Sequence, residues 1–426
     1  MREKPEAERR PLTRRRFITG ASVAAGGVAL GFGAKRASAG LRLALVPLGL
    51  QPQGLPVRQH AWGAFLSKDA YGNSVAPQFD RLLFFDVRGA PTLAHARLLE
   101  SRLRALERRF RWAHEGLLFT VGWGPSYFRL LGITSPIPKA TRLSSFEHPL
   151  IDSYDVCVHL AGDDEQRLRA VEAALVHGHK LAGVTGSLSL SPALVWWETR
   201  TGFTGVGIPS RRQNVKGIPA GDPVPSDSPL FMGFKSGLRK NQASEDSVTI
   251  EDGPFAQGTT MHVSYMREQL DGWYEKLSEQ DRIALMYSPE TTPAGVEAIT
   301  EDKADTTADA KQITTAIQQY GMVGHSQASA QARRHGRPLI IRRDFNTTDH
   351  GYAGLHFVSV QRSIQDFVVT RNAMNATGAH NINKNVGATK NNGINAFIKV
   401  QRRANYMMPS RPDRSFPLLP GRDSVL

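Results

Sequence analysis

His325 precedes a pair of arginines, Arg342 and Arg343, by 17 and 18 residues. The histidine lies in YGMVGHSQASAQARRH, and the arginines end the β-branched apolar run of LIIRRDF. Neighbouring strand residues face opposite ways, so one arginine can enter a pocket while the other turns outward. A histidine and an arginine over one cavity suit haem, the imidazole ligating iron and the guanidinium polarising a bound peroxide. The same histidine also suits a purely structural role, and both readings stand at this stage. No CxxCH is present, so any haem is held non-covalently. FMGFKSGLRKNQ (Phe231 to Gln242) is a glycine-framed turn beside basic side chains, readable as a ligand loop or as a tight surface turn. HExxH is missing, and the thirteen histidines lack zinc-ligand spacing. No GxGxxG follows a strand, and no phosphate loop is present. The single cysteine, Cys157, excludes an internal disulfide framework and any zinc–cysteine or iron–sulfur cluster held by this chain alone. It reads as a small buried hydrophobe.

The elements that position such residues need a sizeable fold. At 426 residues, with 40% apolar and 22% charged side chains, the chain suits two packed domains and is too apolar for bulk disorder. Its formal charge is +14, but nine basic and three acidic residues precede Gly40, which leaves +8 spread over the rest. That diffuse excess, without a compact Lys/Arg tract, argues against nucleic acid as a partner. Residues 1–39 read as an export signal. TRRRFITG supplies consecutive arginines at 14 and 15, ASVAAGGVALGFGA an apolar stretch, and Ala37-Ser38-Ala39 a cleavage pattern. The arginine pair resembles a twin-arginine signal, which predicts export of the folded chain to the periplasm or cell exterior by that machinery. The apolar stretch is shorter than the roughly 20 residues of a spanning helix, so no integral span is expected in the mature form.

Downstream, one pattern occurs twice. RLLFFDVRG, GLLFTVGWG, SYDVCVHLAG and ALVWWE read as strands. Between them lie a helix from Thr92 to Phe110 and another opened by Asp163 and Asp164, with Leu168, Val171, Leu175 and later Leu181 inward. After the Pro/Gly-rich stretch 217–229, TTMHVSY reads as a strand. A helix is expected from Met266, Leu270, Trp273 and Leu277, and Ser278 with Asp281 forms a capping box for a helical piece through Met286. Residues 291–308 read as a surface excursion. RPLIIRRDF and YAGLHFVSVQR read as strands, 363–374 as a helix and INAFIKVQ as the closing strand. The expected fold is α+β: two ferredoxin-like domains with antiparallel sheets, at 40–215 and 216–426.

From about Leu82 to Tyr406 the chain resembles the dye-decolourising peroxidases, haem proteins built from two ferredoxin-like domains. GLLFTVGWGPSYFRLLG resembles their first-domain strand and turn, and SYDVCVHLAGDDEQRLRAVEAAL their strand, acidic turn and helix. LFMGFKSGLRKNQ with EDGPFAQGTTMHVSYMREQLDGW resembles the signature glycine loop and the strand and helix after it. LIIRRDFNTTDHGYAGLHFVSVQRSIQDF matches the distal-arginine strand and its neighbour. The resemblance implies haem b, His325 as proximal iron ligand, and Arg342 as distal arginine, with Arg343 in that place if the alignment slips by one. Gly233, Phe234, Lys235 and Ser236 would line the cofactor pocket. It also implies hydrogen peroxide as oxidant and a small-molecule electron donor, whose electrons arrive from outside through aromatic residues on the protein surface; a homo-oligomer is compatible with it. Trp123, Trp196, Trp197, Trp273 and Tyr265 are the aromatic candidates, each also readable as a core residue.

Two departures stand out. The family's GxxDG reads here Gly233-Phe234-Lys235-Ser236-Gly237, so a serine replaces the acid that shuttles the peroxide proton. Serine has no titratable group near neutrality. SQASAQARR also replaces the family's Arg-x-x-Asn-Pro after the histidine. Three expectations follow: a haem peroxidase of weak or altered chemistry, a haem protein without turnover, and a relative that has lost haem and serves as a binding or structural module.

Overall fold

The strand-like segment RLLFFDV forms the last seven residues of β1 (Phe79–Val87) in the computed structural model, which describes residues 54–301, 303 and 310–419. The expected export signal at 1–39 lies outside the described residues. Thr92 caps α1 (Leu93–Arg109), its side chain accepting from the His95 amide, and Leu99, Leu103 and Leu106 are fully buried. There follow β2 (Leu118–Trp123), α2 (Pro125–Leu130), β3 (Leu150–Ile151) and β4 (Val156–Gly162). Asp164 caps α3 (Glu165–His177), which Gly178 ends in a left-handed conformation. Strand β5 (Leu194–Phe203) and the short α4 (Ile208–Arg211) complete the first half.

The second half opens with β6 (Thr259–Glu268), then α5 (Asp271–Glu275) and α6 (Glu279–Met286), the last with the expected Ser278–Asp281 capping box. The helix expected from Met266 onward is replaced by strand through Glu268: Met266 and Glu268 pair with Val400 and Ile398, so sheet pairing overrides their 4-3-4 apolar spacing. Within the expected surface excursion lies α7 (Pro293–Thr300), which buries no residue. Next come α8 (Ala310–Tyr320), α9 (His325–Ser329), and a two-residue hairpin pair, β7 (Arg333–Arg334) and β8 (Arg337–Pro338). The expected strand RPLIIRRDF is broken into β9 (Ile341–Arg342) and β10 (Phe345–Thr347). Both lie along β11 (Gly354–Gln361) in one continuous register. The chain ends with α10 (Ile364–Asn375), α11 (Ala379–Ile382) and β12 (Ile398–Met408), which starts later than INAFIKVQ suggests and runs seven residues past its end.

In the first half the strands lie in the order β5-β1-β4-β2, and in the second β12-β6-β11 followed by β9 and β10. Each is the strand order of a ferredoxin-like βαββαβ unit. The two sheets join where Met407 pairs with Trp123 and where Asn346 pairs with Phe203, closing eight strands into an antiparallel barrel. The fold is thus mixed α and β with ferredoxin-like topology. The described residues all fall within one compact unit. Leu82, Phe84, Met261, Val263, Phe345, Val358 and Tyr406 fill the space between the sheets. Cys157 is buried with them, and burial pushes its thiol far above the ordinary range. The segment after β12 crosses back to the first half, where Arg411 and Arg414 pair with Glu107, Arg414 also with Glu100, and Phe416 packs on Trp123 and Tyr127.

Candidate active site

Side chains on the outer face of the second sheet bound a large cavity. Along β6 these are Ser264, Met266 and Glu268, every second residue, while Met261 and Val263 face the barrel interior. Strand β12 contributes Ile398 and Arg403, which have unlike parity. A β-bulge between Val400 and Arg402 switches the alternation and aims Arg403 at the same side. Helices α9 and α10 and the 230–241 loop form the opposite wall. The unfilled space, counted to its open mouth, is about 1410 Å³. The cavity lies between one sheet and its helices, not between the two sheets as a pocket walled by both units would require.

His325 lines this cavity at the start of α9, half-buried. Its position is set by close backbone approaches. A Cβ on Gly324 would lie 2.0 Å from the Tyr287 carbonyl oxygen, so no other residue fits there. Gly393 donates to the Val323 carbonyl at 2.8 Å, and its own φ of +50° brings it against the His325 backbone. Burial, with Arg342 and Arg371 adding to it, holds the imidazole down to about 3, so the ring is neutral and has a lone pair to give.

Arg342 also lines the cavity, and its Nε is buried without a hydrogen-bond partner. Gln242 clamps the Arg342 backbone, accepting from its amide at 2.8 Å and donating to its carbonyl at 3.2 Å. Arg343 faces the other way as strand alternation requires, yet it is not solvent-directed. Its guanidinium lies 3.8 Å from the Trp62 ring centroid and donates to the His60 carbonyl. Phe234, Lys235 and Ser236 line the cavity, Lys235 paired with Asp69 and Phe234 edge-on to Tyr287. Gly233 is outside the lining; its φ of +88°, with +78° at Gly237, makes the turn that presents the residues between them.

Several residues of the cavity escaped the sequence reading. Arg371 and Arg403 both line it and converge on Glu147, which accepts from Arg371 Nε at 3.0 Å and Nη2 at 2.6 Å and from Arg403 Nη2 at 3.0 Å. Glu268 and Asp344 are cavity carboxyls. Glu268 is 3% exposed, its Oε2 has no hydrogen-bond partner, and burial followed by the charge of Asp344 pushes it up to about 8. Of the aromatic candidates, Trp123, Trp273 and Tyr265 are core residues. Trp196 and Trp197 are exposed on β5, contrary to a core reading, with Trp196 edge-on to His177 at the end of α3.

Haem needs an apolar enclosure and a nitrogen ligand with a free lone pair. The lining is largely apolar, with Phe234, Met266, Leu355, Phe357 and Ile398 among it, as a macrocycle requires. A neutral imidazole and an arginine with an unpartnered Nε face the same space. These residues fit the group. Among the described residues no group of three or more His, Cys, Asp or Glu could hold a metal ion by itself, a condition that a single-histidine haem site does not need.

A family model described as "Family of unknown function (DUF7405)" matches residues 77–410. No curated protein matches by sequence. Solved structures with the same fold include a DyP-type peroxidase from Cellulomonas bogoriensis, 17% identical, TM-score 0.54, covering 84% of this chain and 97% of that one. The encapsulated DyP-type peroxidase from Mycobacterium smegmatis is 14% identical, TM-score 0.54, covering 84% and 100%. A DypB variant from Rhodococcus jostii in complex with heme is 14% identical, TM-score 0.54, covering 84% and 99%. At these identities the likeness establishes the fold alone.

Proposed function

The chain belongs to the family of unknown function DUF7405, and we propose that it is a haem-dependent, peroxidase-like oxidoreductase that uses hydrogen peroxide to oxidise a small organic donor. The observation that carries this reading is the neutral His325 imidazole facing the same apolar cavity as Arg342. His325 would hold the iron of non-covalent haem b, and the cofactor would supply the electrons that peroxide reduction consumes. Arg342, permanently charged, orients peroxide and stabilises negative charge on its oxygens. Phe234 and the apolar side chains of β6 and β11 would keep water away from the bound cofactor. Ser236 can hydrogen-bond to peroxide or water but cannot take up and return a proton near neutrality, which makes the expected chemistry weak or altered.

The test is absorbance of the full chain purified from haem-sufficient cells. About one haem per chain is expected, with most of it lost in His325→Ala. A colourless wild type would sink the reading in favour of a binding module without haem. Haem without peroxide turnover would favour a haem protein that does no oxidation. Export by the twin-arginine route belongs to the same proposal, and among the described residues no helix is long and apolar enough to cross a membrane. Lysine at both 14 and 15 should hold the precursor in the cytoplasm; normal export of that variant would refute the route.

A further inference from the structure

We propose that Ser264, His262 and Asn405 form a nucleophilic relay that opens into the cavity and gives the chain a second activity, hydrolysis of carboxylic esters with a bulky apolar body. The proposal goes beyond the haem-peroxidase reading and needs no cofactor. His262 and Ser264 lie two residues apart on β6, so strand alternation puts both on its outer face. Ser264 Oγ is 2.7 Å from His262 Nε2, and His262 Nδ1 is 2.7 Å from Asn405 Oδ1. Asn405 stands opposite His262 in the pairing of β6 with β12. Its amide nitrogen donates to the Pro138 carbonyl at 3.0 Å, which leaves Oδ1 as the acceptor for the ring. His262 therefore carries its proton on Nδ1 and turns the Nε2 lone pair to the Ser264 hydroxyl. Nucleophile, base and orienting group stand in the order that acyl transfer requires.

The surroundings suit that chemistry. Ser264 lines the cavity, and His262 lies behind it, 1% exposed. Phe367 of α10 stacks on the imidazole, the ring centroids 3.6 Å and the planes 16° apart, and so fixes the plane of the ring. Arg403 stands opposite Ser264. Its Nη1 donates to the Thr141 carbonyl and its Nη2 to Glu147, while its Nε is buried without a partner. That N–H is the donor for negative charge on the substrate carbonyl oxygen. Burial, then the charge of Arg403, holds His262 well below its ordinary value against an upward pull from Asn405, so the ring is neutral and able to accept a proton. Met266, Leu355, Phe357 and Phe367 line the same space and match an apolar substrate body.

In the first step Ser264 Oγ bonds to the ester carbonyl carbon as its proton passes to His262 Nε2. His262 gives that proton to the leaving alcohol oxygen as the ester C–O bond breaks, and the acyl group stays on Ser264. Water then adds to the acyl carbon with His262 again taking its proton, which returns to Ser264 Oγ as the acid departs. One water is consumed per ester, and no electron is exchanged.

The experiment treats the full chain, purified from cells grown with and without added haem, with a fluorophosphonate, and weighs the Ser264 peptide by mass spectrometry. Haem-free protein should take one phosphonyl group per chain, on Ser264, and should hydrolyse p-nitrophenyl butyrate. Ser264→Ala should lose both, and His262→Gln should slow both at least ~10²-fold. Asn405→Asp places a negative charge beside the ring, so labelling that is level from about pH 6 to 8 in the wild type should fall off below about pH 6.5. Bound haem should protect Ser264, since both use one cavity. Absence of label on Ser264 in haem-free protein, or equal labelling after His262→Gln, overturns the proposal and leaves the haem reading untouched. Labelling of Ser264 in a chain that binds no haem, or undiminished labelling with haem bound, supports the relay and counts against the haem reading of this cavity. A level profile in Asn405→Asp overturns the relay even if His262→Gln fails to fold.

Discussion

Replacing Glu147 with glutamine removes the negative charge that Arg371 and Arg403 share. Glu147 is 2% exposed, and the two arginines are 6% and 1% exposed. Its carboxylate takes both Nε and Nη2 of Arg371 on Oε1, and Arg403 Nη2 reaches Oε2 at 2.9 Å. The remaining partners are weaker neutral acceptors: Asn395 Oδ1 at 3.2 Å for Arg371 and the Thr141 carbonyl at 3.2 Å for Arg403. Removing one partner of a buried ion pair costs about 3–5 kcal/mol, because the other charge is left in a low dielectric. Glutamine can still accept one bond at Oε1, which places Glu147→Gln at the lower end, about 3 kcal/mol, and Glu147→Ala at the upper. The assay is urea unfolding followed by tryptophan fluorescence, with the midpoint compared at constant slope. A further Arg403→Met should relieve part of the cost, since it removes one stranded cation, with a coupling of about 0.5–3 kcal/mol. A Glu147→Gln midpoint within ~0.5 kcal/mol of wild type would refute the view that this carboxylate neutralises the cavity wall.

Two further outcomes are expected. Gly393→Ala puts a Cβ 3.0 Å from the His325 Cα at a φ of +50°, so it should cost about 1–3 kcal/mol and reduce haem per chain; wild-type stability and spectrum would contradict the bracing role of Gly393. Glu268 has a folded-state value raised from 4.5 to about 8, so its contribution to stability is full below pH 4.5 and lost as pH rises through 8. Glu268→Gln, which stays neutral, should therefore gain on wild type across that window, by at most about 4–5 kcal/mol at pH 9; parallel stability–pH curves for the two proteins would contradict it.

Much of the barrel was legible because local signals agreed with it. In β1, α1 and α3 the apolar period, the Thr92 and Asp164 caps and the Gly178 stop all point one way. Met266 misled because its spacing to Leu270 and Trp273 fits a helix, while its pairing partner Val400 is remote in sequence. Site residues divide along the same line. His325, Arg342 and the 234–236 loop stand out locally, by a histidine after glycine, an arginine ending an apolar run and a framed turn. Glu147 gives no such sign, since Arg371 lies 224 residues away and Arg403 reaches it only through a bulge that no residue pattern announces. Glu268 was hidden for another reason. A carboxyl reads as solvated until strand alternation is known to bury it.

The return of residues 411–419 to the first half has a consequence for synthesis on the ribosome. Glu100 and Glu107 emerge more than three hundred residues before Arg414, the arginine that neutralises both. Trp123 and Tyr127 likewise wait for Phe416. The first half therefore leaves the exit tunnel with Glu107 bound for a dry interior before Arg411 and Arg414 exist, with Glu100 held only by its helix neighbour Arg104, and with β2 and β5 as bare strand edges. Nearly the whole polypeptide must be released before either half reaches its native packing. A chain stopped after Met408 should accordingly remain protease-sensitive in residues 79–203, even though it contains every strand of the barrel.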